Sequence, residues 1–241
     1  EPVARGTAPA IAVAAKLVEA QHNDDVMAVF PADHVIADND AFKAALDHAV
    51  ALANEGHLVT FGITPRSAHT GYGYIRLKGE LEKGVGQIDE FVEKPDAITA
   101  QAYLDHGGYF WNGGMFVFKA SAMLEAFAEH TPDVLAACNM AVSDAQPDGY
   151  FLHLEKSSFE STPADSIDYA VMEKASRTMM VPLNAGWGDI GSWASLWESL
   201  DKDKRNNASR GDVILNDTDD SLVISERGLV ATMGVSNLVI V

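Results

Sequence analysis

Asp33 and Asp189 are the two residues of this 241-residue chain whose surroundings point first to chemistry. Asp33 stands in Phe30-Pro-Ala-Asp-His-Val-Ile36, directly after the apolar run Val26–Phe30. Asp189 stands in Trp187-Gly-Asp-Ile-Gly191, soon after a second apolar run, Met179 to Leu183. A short, partly β-branched apolar run reads as a buried central strand, and Pro31, lacking an N–H, cannot extend it. The chain must leave the sheet there, which sets Asp33 and His34 at a strand's carboxyl edge, where open α/β sheets bind ligands. Taken singly, each aspartate is most simply a turn former or helix cap. Taken together, they supply the one or two carboxylates that Mg²⁺ takes alongside substrate phosphates. His34 reads as a structural hydrogen-bonding residue rather than a ligand.

Three further stretches carry candidate groups. In Glu93-Lys94-Pro95 a proline ends a strand and fixes the stem of Lys94, whose ammonium can meet a phosphate as a point charge. Glu93 can accept hydrogen bonds from sugar hydroxyls, although an exposed Glu-Lys pair is also an ordinary surface feature. Trp111-Asn-Gly-Gly-Met115 reads as a glycine turn into the strand Met115–Phe118. Its glycines also permit close approach of a ligand, and Asn112 offers both a donor and an acceptor. Gly71-Tyr-Gly73 admits the same two readings, and Arg76 at the third glycine position removes it from the dinucleotide fingerprint. Trp193 and Trp197, four residues apart, read as the core-packed face of a helix. No Walker loop, zinc-protease helix or Gly-x-Ser-x-Gly elbow is present.

The elements that must position these groups begin with a helix capped at Thr7 and reaching about Ala20. The strand Val26–Phe30 follows, then a helix capped by Asp38 or Asn39 and stopped at Gly56, then the strand Leu58–Gly62. This α-β-α-β order is that of a parallel sheet with crossover helices. A β excursion runs from Gly71 to Glu93, and helices are expected over Asp96–Asp105, from about Ser121, from about Pro132, and over Pro163–Ala175. Asp201 to Arg210 reads as a charged linker. Short β-type runs beyond it suit the start of a small all-β unit such as a β-helix.

Composition sets the outer bounds. With 47% hydrophobic and 22% charged residues, the chain has the makeup of one large globular α/β domain or one with a small appendage. A net charge of −18 argues against a nucleic-acid backbone as partner. No apolar stretch has the length of a membrane span, since Ala8 to Ala20 is short, Ala-rich and interrupted by Lys16 and Glu19. One cysteine, Cys138, permits no internal disulfide; it reads as a core residue and fits a reducing cytoplasm. The oligomeric state stays open, and a homo-oligomer is compatible with the sequence. Both ends read as cut: Glu1 opens in the middle of a loop, and Val241 closes inside an apolar run.

Seven ordered stretches give the chain a family resemblance. They are Glu1-Pro-Val-Ala-Arg-Gly-Thr-Ala-Pro-Ala10, Pro31-Ala-Asp-His34, Gly71-Tyr-Gly-Tyr-Ile75, Phe91-Val-Glu-Lys-Pro95, Trp111-Asn-Gly-Gly-Met-Phe116, Ser166-Ile-Asp-Tyr-Ala-Val-Met-Glu173 and Trp187-Gly-Asp-Ile-Gly-Ser-Trp193. In this order they resemble the mannose-1-phosphate guanylyltransferases (GDP-mannose pyrophosphorylases), in particular the bacterial type often fused to a mannose-6-phosphate isomerase. The resemblance implies an α/β fold, a Rossmann-like mixed open sheet flanked by helices, with a short β-rich C-terminal segment. It implies a nucleotidyltransferase domain over 1–204 and the beginning of a β-rich segment over 205–241. The implied partners are GTP and mannose 1-phosphate, the implied products GDP-mannose and pyrophosphate, and the implied cofactor Mg²⁺ held by Asp33 and Asp189. Lys94 would contact the sugar phosphate, with Gly73, Glu93, Asn112 and Gly113 around the mannose and Asp168 supporting that side. Glu1, Arg5 and Thr7 would lie near the guanine or ribose. The family's glycine-rich signature loop should precede Glu1 and is absent, so the chain is expected to be N-terminally truncated. Gly6 stands where the family usually has Asn, and Gly113 where it usually has Ser. Two rivals remain open at this stage: the same fold serving another sugar 1-phosphate or nucleoside triphosphate, and a non-catalytic regulatory subunit that binds sugar nucleotides.

Overall fold

The structure is a computed structural model, and it describes residues 1–22 and 24–241. In chain order the elements are α1 (Thr7–His22), β1 (Val26–Val29), β2 (His34–Ile36), α2 (Asn39–Asn54), β3 (Leu58–Ile63), β4 (Tyr74–Leu77), β5 (Gly86–Val92) and α3 (Ala97–His106). They continue with β6 (Tyr109–Lys119), α4 (Ala120–His130), α5 (Pro132–Ser143), β7 (Gln146–Asp148), β8 (Phe151–His153), α6 (Lys156–Glu160) and a π-type turn at Asp168–Met172. Last come β9 (Thr178–Pro182), β10 (Trp187–Asp189), α7 (Trp193–Ser199), β11 (Ala208–Arg210), β12 (Val213–Asp219), β13 (Leu222–Ile224), β14 (Val230–Ser236) and β15 (Val239–Ile240). No helix among the described residues is long and apolar enough to cross a membrane.

These elements form two compact units. The first comprises Glu1–Pro31 and Asp38–Ala185, and is built on a six-stranded mixed sheet of order β1-β6-β3-β9-β5-β4. Its helices start and stop where local chemistry directs. Asp38 caps α2 by accepting from the Ala41 amide at 2.9 Å, and Asp96 caps α3 by accepting from Thr99 at 2.8 Å. Gly107, in the left-handed region at φ 71°, ends α3. The centre of the sheet is β3, buried along all its residues, as a strand covered on both faces must be. Phe116 and Phe118 of β6, Ile75 of β4 and Phe91 of β5 share one apolar core with Ile11, Met123, Phe127 and Val134 of the helices. Cys138 belongs to that core: burial pushes its thiol up to about 11, so the group is inert at neutral pH.

Four expectations change in this unit. The first run, Val26–Val29, is an edge strand paired, among the described residues, antiparallel to β6 alone, and not a central one. Nor is the strand buried, since Val26, Met27 and Val29 are half-buried and Ala28 is exposed; an apolar run fixes neither a strand's burial nor its count of neighbours. Secondly, among the described pairings of the six-stranded sheet only β3 with β9 is parallel, because the β4–β5 excursion and β6 return the chain antiparallel. Thirdly, Trp111 to Gly114 is no turn but the middle of the 11-residue β6. There Gly114 takes φ 63° and the register against β3 shifts between Thr60 and Gly62, a bulge inside a continuous strand. Fourthly, the helix expected over Pro163–Ala175 contracts to the π-type turn, because the preceding backbone bonds elsewhere. The Ala8 amide donates to the Asp165 carbonyl, the Asp165 amide to the Arg5 carbonyl, and the Ile167 amide to the Thr7 hydroxyl oxygen.

The second unit comprises Ala32–Ala37 and Gly186–Val241. It contains the two-stranded ribbon β2–β10 and a coil of parallel strands, β11-β13-β15 on one side and β12-β14 on another. Ala208 lies opposite Leu222, Val213 opposite Val230 and Leu222 opposite Val239, all in parallel pairs, so successive turns stack on one another, the arrangement of a β-helix. Asn207 seals the interior, donating to the Thr218 carbonyl at 2.7 Å and accepting from the Ser221 amide at 3.1 Å. Helix α7 departs from expectation: none of its residues is buried, and Trp193 is 51% exposed. Trp197 donates its indole N–H to the Asn206 carbonyl and holds the Lys202 ammonium 4.6 Å above its ring.

Candidate functional site

In the second unit, the ribbon sets Asp189 directly across from His34, with Gly188 opposite Val35 and Trp187 opposite Ile36. The Ile190 amide donates to the Asp33 carbonyl at 3.0 Å and pins the loop before β2. Side-chain ligand atoms of Asp33, His34 and Asp189 consequently lie within 4.8 Å of one another. The indole N–H of Trp187 donates to His34 Nδ1 at 3.1 Å, and the two rings meet edge to face. An indole nitrogen only donates, so Nδ1 is the acceptor and the hydrogen of the neutral imidazole sits on Nε2. Burial holds the ring's pKa below its ordinary value, against the pull of Asp189 and Asp33. With one nitrogen occupied and the other protonated, His34 is not a cation ligand here. Two carboxylates remain, one exposed and one half-buried, a donor set that fits a hard divalent ion retaining waters and phosphate ligands.

In the first unit, Asn112 is the hub. It is 7% exposed, and its amide donates to the Asp168 carboxylate at 2.9 Å. Its carbonyl oxygen accepts from the Gly114 amide at 3.2 Å and lies 2.8 Å from the Thr60 hydroxyl. Its own backbone amide donates to the Gly73 carbonyl at 2.8 Å. A Cβ on Gly73 would stand in the space taken by the Glu93 carboxylate and 3.2 Å from Asn112 Cβ, so this position accepts only glycine while Glu93 is in place. At Gly113 a Cβ would meet the Phe61 carbonyl oxygen at 3.1 Å and Met115 Cε at 3.2 Å; a serine there needs a small shift of both.

Glu93 follows β5, and its side chain is only 9% exposed. Its amide donates to the Glu173 carboxylate at 3.0 Å, and the Tyr169 hydroxyl reaches its carbonyl at 3.4 Å. Lys94, its side chain 60% exposed, places its ammonium 3.2 Å from Glu93. Lys94 also takes a left-handed backbone, φ 47°, immediately before Pro95. That conformation costs a non-glycine residue of order 1 kcal/mol and clusters at functional sites. Burial, then the neighbouring Asp168 charge, raises the Glu93 carboxyl above its ordinary value, while Lys94 opposes the rise. Burial likewise raises Asp168, against the bonds it accepts and the attraction of Lys94.

The sign of this linkage is set by the raised pKa values. Between the ordinary carboxylate range and the raised folded values, the folded chain holds protons that the unfolded chain has released, so stability falls as pH rises through that window. Above it the full charge-burial penalty applies. Glu93→Gln is therefore expected to raise the unliganded protein's melting midpoint at pH 7 by a few degrees and to leave it unchanged near pH 4. Melting curves at the two pH values check this, and an equal or lower midpoint at pH 7 would contradict it.

The remaining sequence candidates lie on the N-terminal segment. Glu1 is exposed. The Arg5 guanidinium donates to the Glu160 carbonyl, with its Nε buried and unpartnered, and Thr7 accepts from Ile167, the neighbour of Asp168. Gly6 has φ 82° and faces the Asp165 carbonyl, a left-handed position of the kind asparagine also tolerates. The polar groups of Arg5 and Thr7 thus secure the turn that carries Asp168. Sequence reasoning missed Thr60, Tyr169 and Glu173, none of which belongs to a local motif around Glu93 or Asn112.

Comparison with known proteins follows the same lines. Residues 1–206 match the nucleotidyl transferase family model. The chain is 48% identical over 249 residues to a mannose-1-phosphate guanylyltransferase of Escherichia coli, covering all of this chain and 52% of that protein. It is 44% identical over 243 residues to the alginate biosynthesis protein AlgA of Pseudomonas aeruginosa, covering all of this chain and 50% of that one. The chain thus spans about half the length of the curated relatives it matches. A crystal structure from Thermus thermophilus, described as a mannose-1-phosphate geranyltransferase, superposes with a TM-score of 0.85 at 36% identity, over 99% of this chain and 69% of that one.

Proposed function

The chain belongs to the nucleotidyl transferase family, and from that premise we propose that it forms GDP-mannose and pyrophosphate from GTP and mannose 1-phosphate. A phosphate oxygen of mannose 1-phosphate attacks the α-phosphorus of GTP in line. The bond from that phosphorus to the β,γ-pyrophosphate breaks, and pyrophosphate leaves with the bonding pair. Two anions must approach, so positioning and charge neutralisation are the main tasks and no covalent enzyme intermediate is needed. Lys94 offsets the charge of the sugar phosphate. Glu93 and Asp168 accept hydrogen bonds from sugar hydroxyls, and Asn112, with Gly73 and Gly113 behind it, fixes their spacing. Asp33 and Asp189 would hold Mg²⁺, which would supply neutralisation of phosphate charge when bound. Glu1, Arg5 and Thr7 stand on the guanosine side. We assign residues 1–204 to the transferase domain and 205–241 to the start of the β-helix, with the cytoplasm as the setting.

The observation that supports this reading most is the pair of poorly exposed carboxylates, Glu93 and Asp168, arranged around Asn112 with Lys94 as the cation acting on both. Such acceptors are costly unless a ligand supplies donors, and a hydroxyl-rich sugar phosphate supplies both donors and a charge for Lys94. Titration calorimetry of mannose 1-phosphate tests it. Lys94→Ala is expected to weaken that binding about tenfold or more, the scale of one lost charge-assisted contact, and to leave GTP binding unchanged. An effect confined to GTP would contradict the assignment.

A further inference from the structure

A cavity of about 470 Å³ opens at the far end of the strands that carry the Gly73–Glu93 cluster. Gly73 precedes β4 and Lys78 follows it; Gly86 opens β5 and Glu93 follows it. At the rise of an extended strand the two sites are roughly 20 Å apart along β5. The cavity is lined by Lys78, Lys83 and Arg177, by Glu80 and Glu82, and by His57. Its frame is tied by backbone bonds: Lys78 donates to Gln87 at 2.9 Å, Leu58 to Arg177 at 3.0 Å, and Glu82 and Val85 bond each other at 2.8 and 3.1 Å. Arg177 is aimed by its bond to the Glu55 carbonyl at 3.0 Å.

Charge gives this cavity its meaning. The chain carries 17 Lys and Arg against 35 Asp and Glu, so carboxylates to pair with are plentiful. Yet among the described residues none of Lys78, Lys83 and Arg177 enters an ion pair, and neither do Glu80 and Glu82 beside them. Arg76, two residues before Lys78, shows the alternative, closing on both Asp89 and Glu90. Three cations match the oxygens of a phosphate, with the guanidinium able to grip two at once. Two unpaired carboxylates match hydroxyl groups. The volume falls in the range of small-ligand sites and far exceeds a bare phosphate.

We propose that this cavity is a second site, separate from the Gly73–Glu93 cluster, for a hydroxylated phosphomonoester, a sugar-phosphate-like metabolite. The phosphate sits on Arg177, Lys78 and Lys83, and the hydroxyls on Glu80 and Glu82. The assignment stands on this cavity alone and does not depend on the reading of Lys94.

Calorimetric titration of the protein with glucose 6-phosphate, inorganic phosphate and glucose tests it, using wild type, Lys83→Glu, Arg177→Gln and Lys94→Ala. Lys83 lies on an exposed bend, so its variant keeps the proposal testable if Arg177→Gln fails to fold. Glucose 6-phosphate is expected to bind more tightly than phosphate, and glucose not detectably. Lys83→Glu and Arg177→Gln should each weaken binding about tenfold or more, and Lys94→Ala should change it less than about twofold. Binding lost in Lys94→Ala but kept in Lys83→Glu would overturn the proposal, as would no heat up to about 10 mM ligand. Phosphate binding as tightly as the sugar phosphate would overturn the hydroxyl half of it.

Discussion

Asp33→Asn and Asp189→Asn, made in a chain lengthened to match its relatives, each lose Mg²⁺-dependent turnover by about 100-fold or more, while the melting midpoint of either variant barely moves. The separation of the two effects follows from the ribbon. What fixes the Asp33 loop is its carbonyl, which accepts from Ile190, and what fixes Asp189 is its pairing with His34 in β10–β2. Both are backbone contacts and survive the exchange of a carboxylate for an amide. The side chains contribute charge instead, and an amide is a poor ligand for a hard divalent ion. Losing one of two anionic ligands removes several kcal/mol of charge neutralisation from a reaction between anions. Raising Mg²⁺ should restore part of the rate in each variant. Unchanged turnover in both would end the metal assignment, and a collapse of the melting midpoint would show that the carboxylates are structural.

The second large effect is on stability. Asn112→Ala is expected to cost about 2–4 kcal/mol, the range for breaking a buried polar network. The substitution removes the donor to Asp168, the acceptor of the Gly114 amide and an acceptor near Thr60 together. Thr60 keeps an outlet in the Met115 carbonyl at 3.0 Å, but the Gly114 amide loses its side-chain acceptor and Asp168 keeps only its backbone donor. Asp168, already raised by burial, loses the amide that favours its charged form, so its carboxyl rises further. Denaturant unfolding at neutral pH checks the magnitude. A loss below about 1 kcal/mol would mean that water replaces the side chain and that Asn112 is not the hub described.

What the sequence revealed of this molecule was decided locally. The start of α2 at Asp38 or Asn39, the helical span from Asp96 to Asp105, and the core placement of Cys138 each depend on residues within a few positions or on helical periodicity. The β-type runs after Val213 were legible for the same reason, and their parallel stacking agrees with the expected β-helix. What the sequence hid was decided at a distance. Whether Val26–Val29 has one neighbour or two depends on β6, far along the chain. The helix expected from Pro163 is pre-empted by bonds to Arg5, Thr7 and Ala8. Trp193 and Trp197 have helical spacing in either setting, and spacing does not say what the helix packs against.

The candidate site divides in the same way. Asp33, Glu93, Lys94, Asn112 and Asp189 sit beside prolines, glycines and strand ends that mark them in the sequence. Thr60, Tyr169 and Glu173 reach the cluster across separations of 52, 76 and 80 residues; Thr60 carries no local mark, and the stretch Ser166–Glu173 does not say that Tyr169 and Glu173 meet Glu93. The left-handed backbone of Lys94 is likewise invisible before folding, since the proline after it argues for an extended conformation.

The central claim is the reaction itself, and pyrophosphate release tests it most directly. Four nucleoside triphosphates are crossed with several sugar 1-phosphates in the presence of Mg²⁺, using this chain and one lengthened upstream to match its relatives. The account predicts release from GTP with mannose 1-phosphate, with GDP-mannose formed in equal amount and every other pair far slower. Faster release from a different pair, or sugar-nucleotide binding without release in either protein, would contradict it.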